Sequence, residues 1–258
     1  MSSSLTGRKI GHVFGDTVAL DDLEFSVEDG QILAVVGPSG CGKSTLLELI
    51  CGLQEPTSGS IEVGGLSSAS DRLDGCAYMP QTDCLLPWYP AIDNASLALR
   101  NKGFSKAEAR RSAGELFDRL GLSGFEKARP DELSGGMRQR VAFLRTLLSG
   151  KGILLLDEPF AALDAITRAE VQEWLLGVQK NERRTIVLVT HDVEEALYLG
   201  DRVAIMSPRP GRIVQTIDSP EETESGRLAA VTTAGFTERR QRVMSLLGAG
   251  GLSPRGAG

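Results

Sequence analysis

Residues 37–45 read GPSGCGKST, spaced glycines leading into a lysine and two hydroxyls in the pattern GxxxxGK[ST]. Gly37, Gly40 and Gly42 let the backbone curl, so that successive N–H groups of a loop that also holds Pro38, Ser39 and Cys41 point inward at phosphate oxygens. Lys43 can reach the β- and γ-phosphates of a nucleotide, the Ser44 hydroxyl suits Mg²⁺, and Thr45 continues into a helix whose positive N-terminus faces the same anion. At average residue frequencies the four fixed positions recur by chance in about one chain in a hundred of this length. All nine residues are assigned to nucleotide binding.

ILLLDEPF, residues 153–160, is an apolar strand ending in adjacent carboxylates. Ligands bind at that edge of such sheets. Asp157 is placed to hold Mg²⁺ through water, and Glu158 to polarise an attacking water as general base. A strand ending in solvated acids has the same letters; the phosphate loop favours the chemical reading. LSGGMRQR, residues 133–140, opens a helix in which Met137, Val141, Leu144 and Leu148 share one face. A helix start needs a cap but not two glycines, so Gly135 and Gly136 after Ser134 call for a reason.

The elements around these clusters alternate. A β-rich opening runs from about Ile10 to Val63, with turn signals at Gly15-Asp16, Asp29-Gly30 and Ser58-Gly59. From about 82 the character is helical; SKAEARRSAGELFDRLG (105–121) begins with a capping box, Ser105 and Glu108. From Gly150, apolar strands alternate with helices up to about 216, the pattern of a parallel sheet covered on both faces. The expected fold is α/β. A P-loop NTPase core spans about 8–81 and 136–216, including an N-terminal antiparallel β subdomain, and a helical subdomain is inserted at about 82–135. A short helix at about 236–247 and a disordered end, GAGGLSPRGAG, should close the single domain 1–258.

The 258 residues are 41% hydrophobic and 24% charged, ordinary for a soluble globular protein. A net charge of −6 argues against a partner bound by phosphate neutralisation, so no nucleic acid is expected. No run approaches the roughly 18 apolar residues that span a bilayer, and no signal peptide is evident. Cys41, Cys51, Cys76 and Cys84 lack metal-ligand spacing, and reduced cytosolic thiols are expected. Cys41 lies inside the phosphate loop, so its alkylation should inactivate, with ATP protecting.

With LSGGMRQR, the two acidic and glycine-rich motifs make residues 10–216 resemble the ATPase subunit of an ATP-binding-cassette (ABC) transporter. The resemblance implies ATP and Mg²⁺ as ligands. It places Phe14 on the adenine, where the family usually has Tyr, though Phe14 also reads as a core aromatic. It puts Gln81 in the glutamine loop near the γ-phosphate and Mg²⁺, and His191 of VTHD at the switch-histidine position, with a catalytic role at the γ-phosphate. Ser134, Gly135 and Gly136, with Asp164 of AALD, would serve ATP held by a second copy packed head to tail. The paired glycines would then allow close approach to phosphate.

About fifty residues separate Gln81 from Ser134, too few for the coiled coils of chromosome-maintenance relatives. CLLPWYPAIDNASLAL (84–99) and MSPRPGRIV (206–214) resemble the nitrate/sulfonate/taurine/pyrimidine-precursor importer group. By that resemblance Leu85, Leu86, Pro87 and Trp88 dock separate integral membrane permease subunits, served by an extracytoplasmic binding protein. The chain would sit peripherally on the cytoplasmic face of the membrane. The helix ending VAFLRTLL departs from the usual ARAL pattern but keeps Arg145. The segment after 216 is too short for the regulatory domain of sugar-importer ATPases. A soluble ABC assembly factor would share every ATP-site residue and leave 84–88 unexplained. A switch GTPase lacks its NKxD-type motif here.

Overall fold

A computed structural model describes residues 3–219 and 226–251. Two long strands open it, β1 (Ser3–Phe14) and β2 (Thr17–Glu28), antiparallel about a turn in which Gly15 takes φ 55°. β4 (Ser58–Val63) pairs on the other edge of β1, giving the order β2-β1-β4 and the expected antiparallel subdomain. The subdomain begins at Ser3 rather than near Ile10. In SSLTGRK only Leu5 is strongly apolar, yet it is fully buried while Arg8 and Lys9 face solvent. One wet face hides such a strand from a hydrophobicity reading.

The main sheet has the order β5-β6-β7-β3-β8-β9. Five of its strands are parallel: β3 (Ile32–Val36), β5 (Cys76–Met79), β6 (Ile153–Asp157), β7 (Thr185–Thr190) and β8 (Arg202–Met206). β9 (Ile213–Asp218), which the strand–helix pattern did not single out, runs antiparallel to β8 at the edge of the sheet. Only residues 207–212 join the two strands, far short of the dozen or more that a parallel crossover needs.

Alternate strand residues bury on opposite faces. Leu33, Val35, Leu155, Val187 and Val189 pack with α1 (Lys43–Ile50) and the β subdomain. Leu154, Leu156, Ile186 and Leu188 pack with α6 (Gly135–Leu147) and α7 (Ala165–Glu182). That second core is continuous with the helical lobe, formed by α3 (Ala91–Ala95), α4 (Leu97–Asn101) and α5 (Lys106–Phe117). The capping box at Ser105 and Glu108 forms, but α5 stops at Phe117, four residues before the expected end. Asp93 ties α3 to α5 by a bidentate pair with Arg110 (2.6 and 2.7 Å), and these hydrogen bonds hold its carboxyl below the usual range.

α2 (Ala69–Gly75) and α8 (Val193–Leu199) complete the ordered core. Near the C-terminus α9 (Gly226–Val231) precedes α10 (Ala234–Gly251). The last helix is thus longer than 236–247, and 248–251 are helical rather than disordered; 252–258 lie outside the described residues. Phe236 and Val243 anchor α10 in a core shared with α8 and β8. That packing outweighs the helix penalty of its terminal glycines, about 1 kcal/mol each.

Candidate active site

β3 ends at Val36 and α1 starts at Lys43, so the phosphate loop spans the gap at the C-terminal edge of the sheet. Gly42 caps α1 with φ 105°, and a Cβ there would lie 2.6 Å from Leu20. Gly37 is equally confined: a Cβ would meet Met206 and the Cys41 sulfur at 2.9 Å. The Lys43 ammonium is buried and donates to the carbonyls of Gly37 (2.8 Å) and Pro38 (3.0 Å), poised under the loop. Ser44 is exposed and Thr45 half-buried at the mouth.

Asp157, the last residue of β6, is buried, and its Oδ2 has no hydrogen-bond partner. Burial raises its pKa, with a hydrogen bond from Ser44 pulling the other way. A buried carboxylate oxygen without a partner, beside the Ser44 hydroxyl, fits a hydrated divalent cation. The same geometry makes a stability prediction. A carboxyl whose folded pKa is raised favours the folded state most when protonated, below the unfolded value near 4, and loses that contribution as pH rises through the folded pKa. Asp157→Asn should therefore raise the melting temperature of the nucleotide-free protein at neutral pH, by about 2–4 °C per kcal/mol relieved. Differential scanning fluorimetry checks it; an equal or lower melting temperature would contradict the unpartnered burial.

Glu158 follows with φ 48°, the left-handed region that costs a non-glycine residue about 1–3 kcal/mol. Its N–H donates to Val189 O at 2.9 Å, which fixes the turn. One carboxylate oxygen lies 3.2 Å from His191 Nδ1, and the other accepts from Gln81 Nε2 at 3.3 Å. Three residues from three different strand ends thus converge on one cleft of about 390 Å³, shared with the phosphate loop and Arg209. Gln139 braces the group from α6: its amide donates to Glu158 O and accepts from Ala162 N, both at 2.8 Å.

Ser134 caps α6, its Oγ accepting from Met137 N at 3.2 Å with the hydroxyl proton free to donate outward. Neither following glycine has a positive φ, so backbone freedom is not why they are there. Space is. A Cβ on Gly136 would come within 2.9 Å of Ala162 O, whereas Gly135 has only the tip of Arg138 within 4 Å and leaves the helix mouth open. Ser134, Gly135 and Gly136 do not line the cleft of their own chain. Asp164 caps α7 through Thr167 N, which holds its carboxyl below the usual range. Phe14 is 47% exposed and meets only the edge of His12, with centroids 4.5 Å apart, so it is not a core aromatic.

A profile of the ABC transporter family matches residues 20–161. This chain belongs to the ABC transporter family. The cassette is 48% identical to an aliphatic sulfonates import ATP-binding protein of Rhodococcus jostii over 198 residues, 77% of each chain. It is 46% identical to a formylaminopyrimidine import ATP-binding protein of Halalkalibacterium halodurans over 191 residues, 74% of each chain. It is also 39% identical to a nitrate import ATP-binding protein of Synechococcus elongatus over 236 residues, 90% of this chain and 86% of that one. Among solved structures, a dimeric ATP-binding cassette in a post-hydrolysis state with ADP and phosphate superposes with a TM-score of 0.77. It is 28% identical and covers 84% of this chain and 100% of the other. The cassette is an ATP-binding ATPase.

Two expectations need correction. Cys41 is 1% exposed, packed beneath the loop where burial pushes its thiol up, so alkylation does not probe the ATP site; Cys84 is the exposed thiol. Leu85 is buried in the main core, so it supports the 84–88 turn from within rather than facing a partner. Leu86 is half-buried, Pro87 exposed and Trp88 64% exposed. Gln139, Arg138, Asp83 and Arg209 were not singled out by sequence reasoning. Gln139 and Arg138 lie inside LSGGMRQR, but nothing in their spacing says what they touch.

Proposed function

We propose that this cassette is the ATP-hydrolysing subunit of an importer, powering uptake of a small solute of the nitrate, sulfonate, taurine or pyrimidine-precursor kind through separate membrane subunits. Residues 37–45 bind the polyphosphate, with Lys43 on its β- and γ-oxygens and Phe14 under the adenine. Ser44 and Asp157 (the latter through water), with Gln81, hold Mg²⁺, which when bound neutralises charge on the phosphates. Glu158 accepts the proton of the attacking water, and His191 and Gln81 keep its carboxylate aimed. Closure comes from a second copy, head to tail, whose Ser134, Gly135 and Gly136 cap the γ-phosphate with a helix N-terminus and whose Asp164 crosses beside it.

The observation that carries the transport reading is the turn 84–90, which is apolar, exposed and built. Asn94 is fully buried and shapes it, accepting from Leu86 N (2.7 Å) and donating to Leu86 O (3.1 Å) and Tyr89 O (3.0 Å). Asp83 pairs with Arg138 at 3.0 Å, and Arg145 donates to the carbonyls of Asp83 and Cys84, both at 2.8 Å. Arg138 and Arg145 lie on α6, so residues 83–84, at the start of the turn that presents Trp88, are tied to the helix that would cap the partner's nucleotide. A permease segment at that turn and a binding protein beyond it would complete the transporter. Among the described residues no helix is long and apolar enough to cross a membrane, in keeping with separate subunits.

Tagged Glu158→Gln protein, recovered from its native cells with ATP in mild detergent, tests this by mass spectrometry. A co-purifying polytopic membrane protein, lost on Trp88→Ala, is the expected result. Recovery of soluble partners alone would favour an assembly factor.

A further inference from the structure

Among the described residues, the nucleotide cleft contains one that none of the ATP-site motifs supplies. Arg209 sits in the turn between β8 and β9, far along the chain, yet lines the same cleft as Ser39, Lys43, Glu158 and His191. Its Nε donates to Gly40 O at 3.2 Å, and its Nη2 is the only atom within 4 Å of where a Cβ on Gly40 would stand. Among the described residues its two terminal nitrogens make no hydrogen bond and it forms no ion pair.

The turn that presents it is held rigidly. Gly211 exchanges backbone hydrogen bonds with β2, donating to Ala19 O (2.9 Å) and accepting from Asp21 N (3.1 Å). It lies so close to the phosphate loop that a Cβ would fall 2.1 Å from Cys41 O. Arg212 is paired with Asp21, and the Ser207 hydroxyl donates toward the carbonyls of Pro208 (3.0 Å) and Pro210 (3.1 Å). Arg209 is therefore an exposed cation on a braced turn, aimed at the outer bend of the loop. The cleft needs such a charge: Asp157 and Glu158 line it beside a polyphosphate, and among the described residues Lys43 is the only other cation on its wall.

We propose that Arg209 is a nucleotide-binding residue whose free guanidinium nitrogens contact the terminal phosphate of ATP from the solvent side, opposite the buried Lys43. This rests on residues 37–45 being the ATP site. It touches the apex of the loop at Gly40 and faces the same cleft as Glu158 and His191. Discrimination of ATP from ADP is the consequence, because ADP lacks the group that Arg209 holds.

Isothermal titration of the full chain with ATP and with ADP, each with Mg²⁺, tests it on the wild type, Arg209→Gln, Arg209→Lys and Lys43→Ala. Arg209→Gln should weaken ATP about tenfold, as expected for loss of a charge-assisted contact, and change ADP by less than about twofold. Arg209→Lys should fall between. Equal losses for ATP and ADP would show that Arg209 only braces the Gly40 carbonyl, and unchanged ATP affinity would show that it touches no phosphate; either overturns the proposal. Lys43→Ala separates the two layers. If it abolishes ATP binding, the site assignment stands whatever Arg209 does, and if it binds like wild type, both fall together.

Discussion

Glu158→Gln should lower ATP turnover by at least about a hundredfold, the scale of a lost general base, while ATP affinity stays close to wild type. The amide matches the carboxylate in shape, so contacts with His191 and Gln81 can persist in part. The left-handed backbone at 158 costs glutamine no more than it costs glutamate. What vanishes is the ability to take a proton from water. Binding without cleavage leaves the nucleotide in place between two copies, so gel filtration with ATP should show a stable dimer where the wild type is largely monomeric. Phosphate release at the wild-type rate would remove Glu158 from the chemistry.

Ser134→Arg should be as severe for turnover and nearly silent for binding. Ser134 lies outside the cleft of its own chain, so ATP affinity measured on the monomer should be retained. Losing the cap to Met137 N costs about 0.5–2 kcal/mol of helix stability, too little to unfold a domain of this size. A long cationic side chain at the mouth of α6, however, fills the space that Gly135 leaves open, where the proposed head-to-tail pair would place the partner's phosphate. Turnover should fall by about a hundredfold or more while binding stays within about twofold if, as proposed, these helix-end donors stabilise the reacting phosphate across the interface. If binding itself were lost, Ser134 would belong to the site of its own chain.

The parts legible in the sequence are those whose chemistry is local. The phosphate loop needs its glycines, lysine and hydroxyls within nine residues, and ILLLDEPF joins burial to two carboxylates in eight. The alternation of apolar strands and helices after Gly150 is local too, and the sheet follows it except at β9, where a short turn overrules the pattern. Contacts made by turns at long range were not legible. Arg209 reaches Gly40 across most of the chain, and even the nearby Asn94 draws in the 86–89 turn through backbone atoms that carry no residue-type signal. Leu85 and Cys41 were misjudged for one reason: apolar character or motif membership does not tell which way a side chain turns.

Gln139 has a consequence for how two copies would work as a pair. Its single amide bridges Glu158 O and Ala162 N, and turning it away would break both hydrogen bonds, at about 0.5–1.5 kcal/mol each. The base-bearing segment 158–162 and α6 therefore move as one piece. In a head-to-tail pair that piece has one end in each nucleotide site: its own base in one, its helix mouth in the other. Occupancy of one site then changes the free energy of the second, and the thermodynamic name for that is cooperativity. In such a pair Gln139 would be one of the links through which the two sites feel each other.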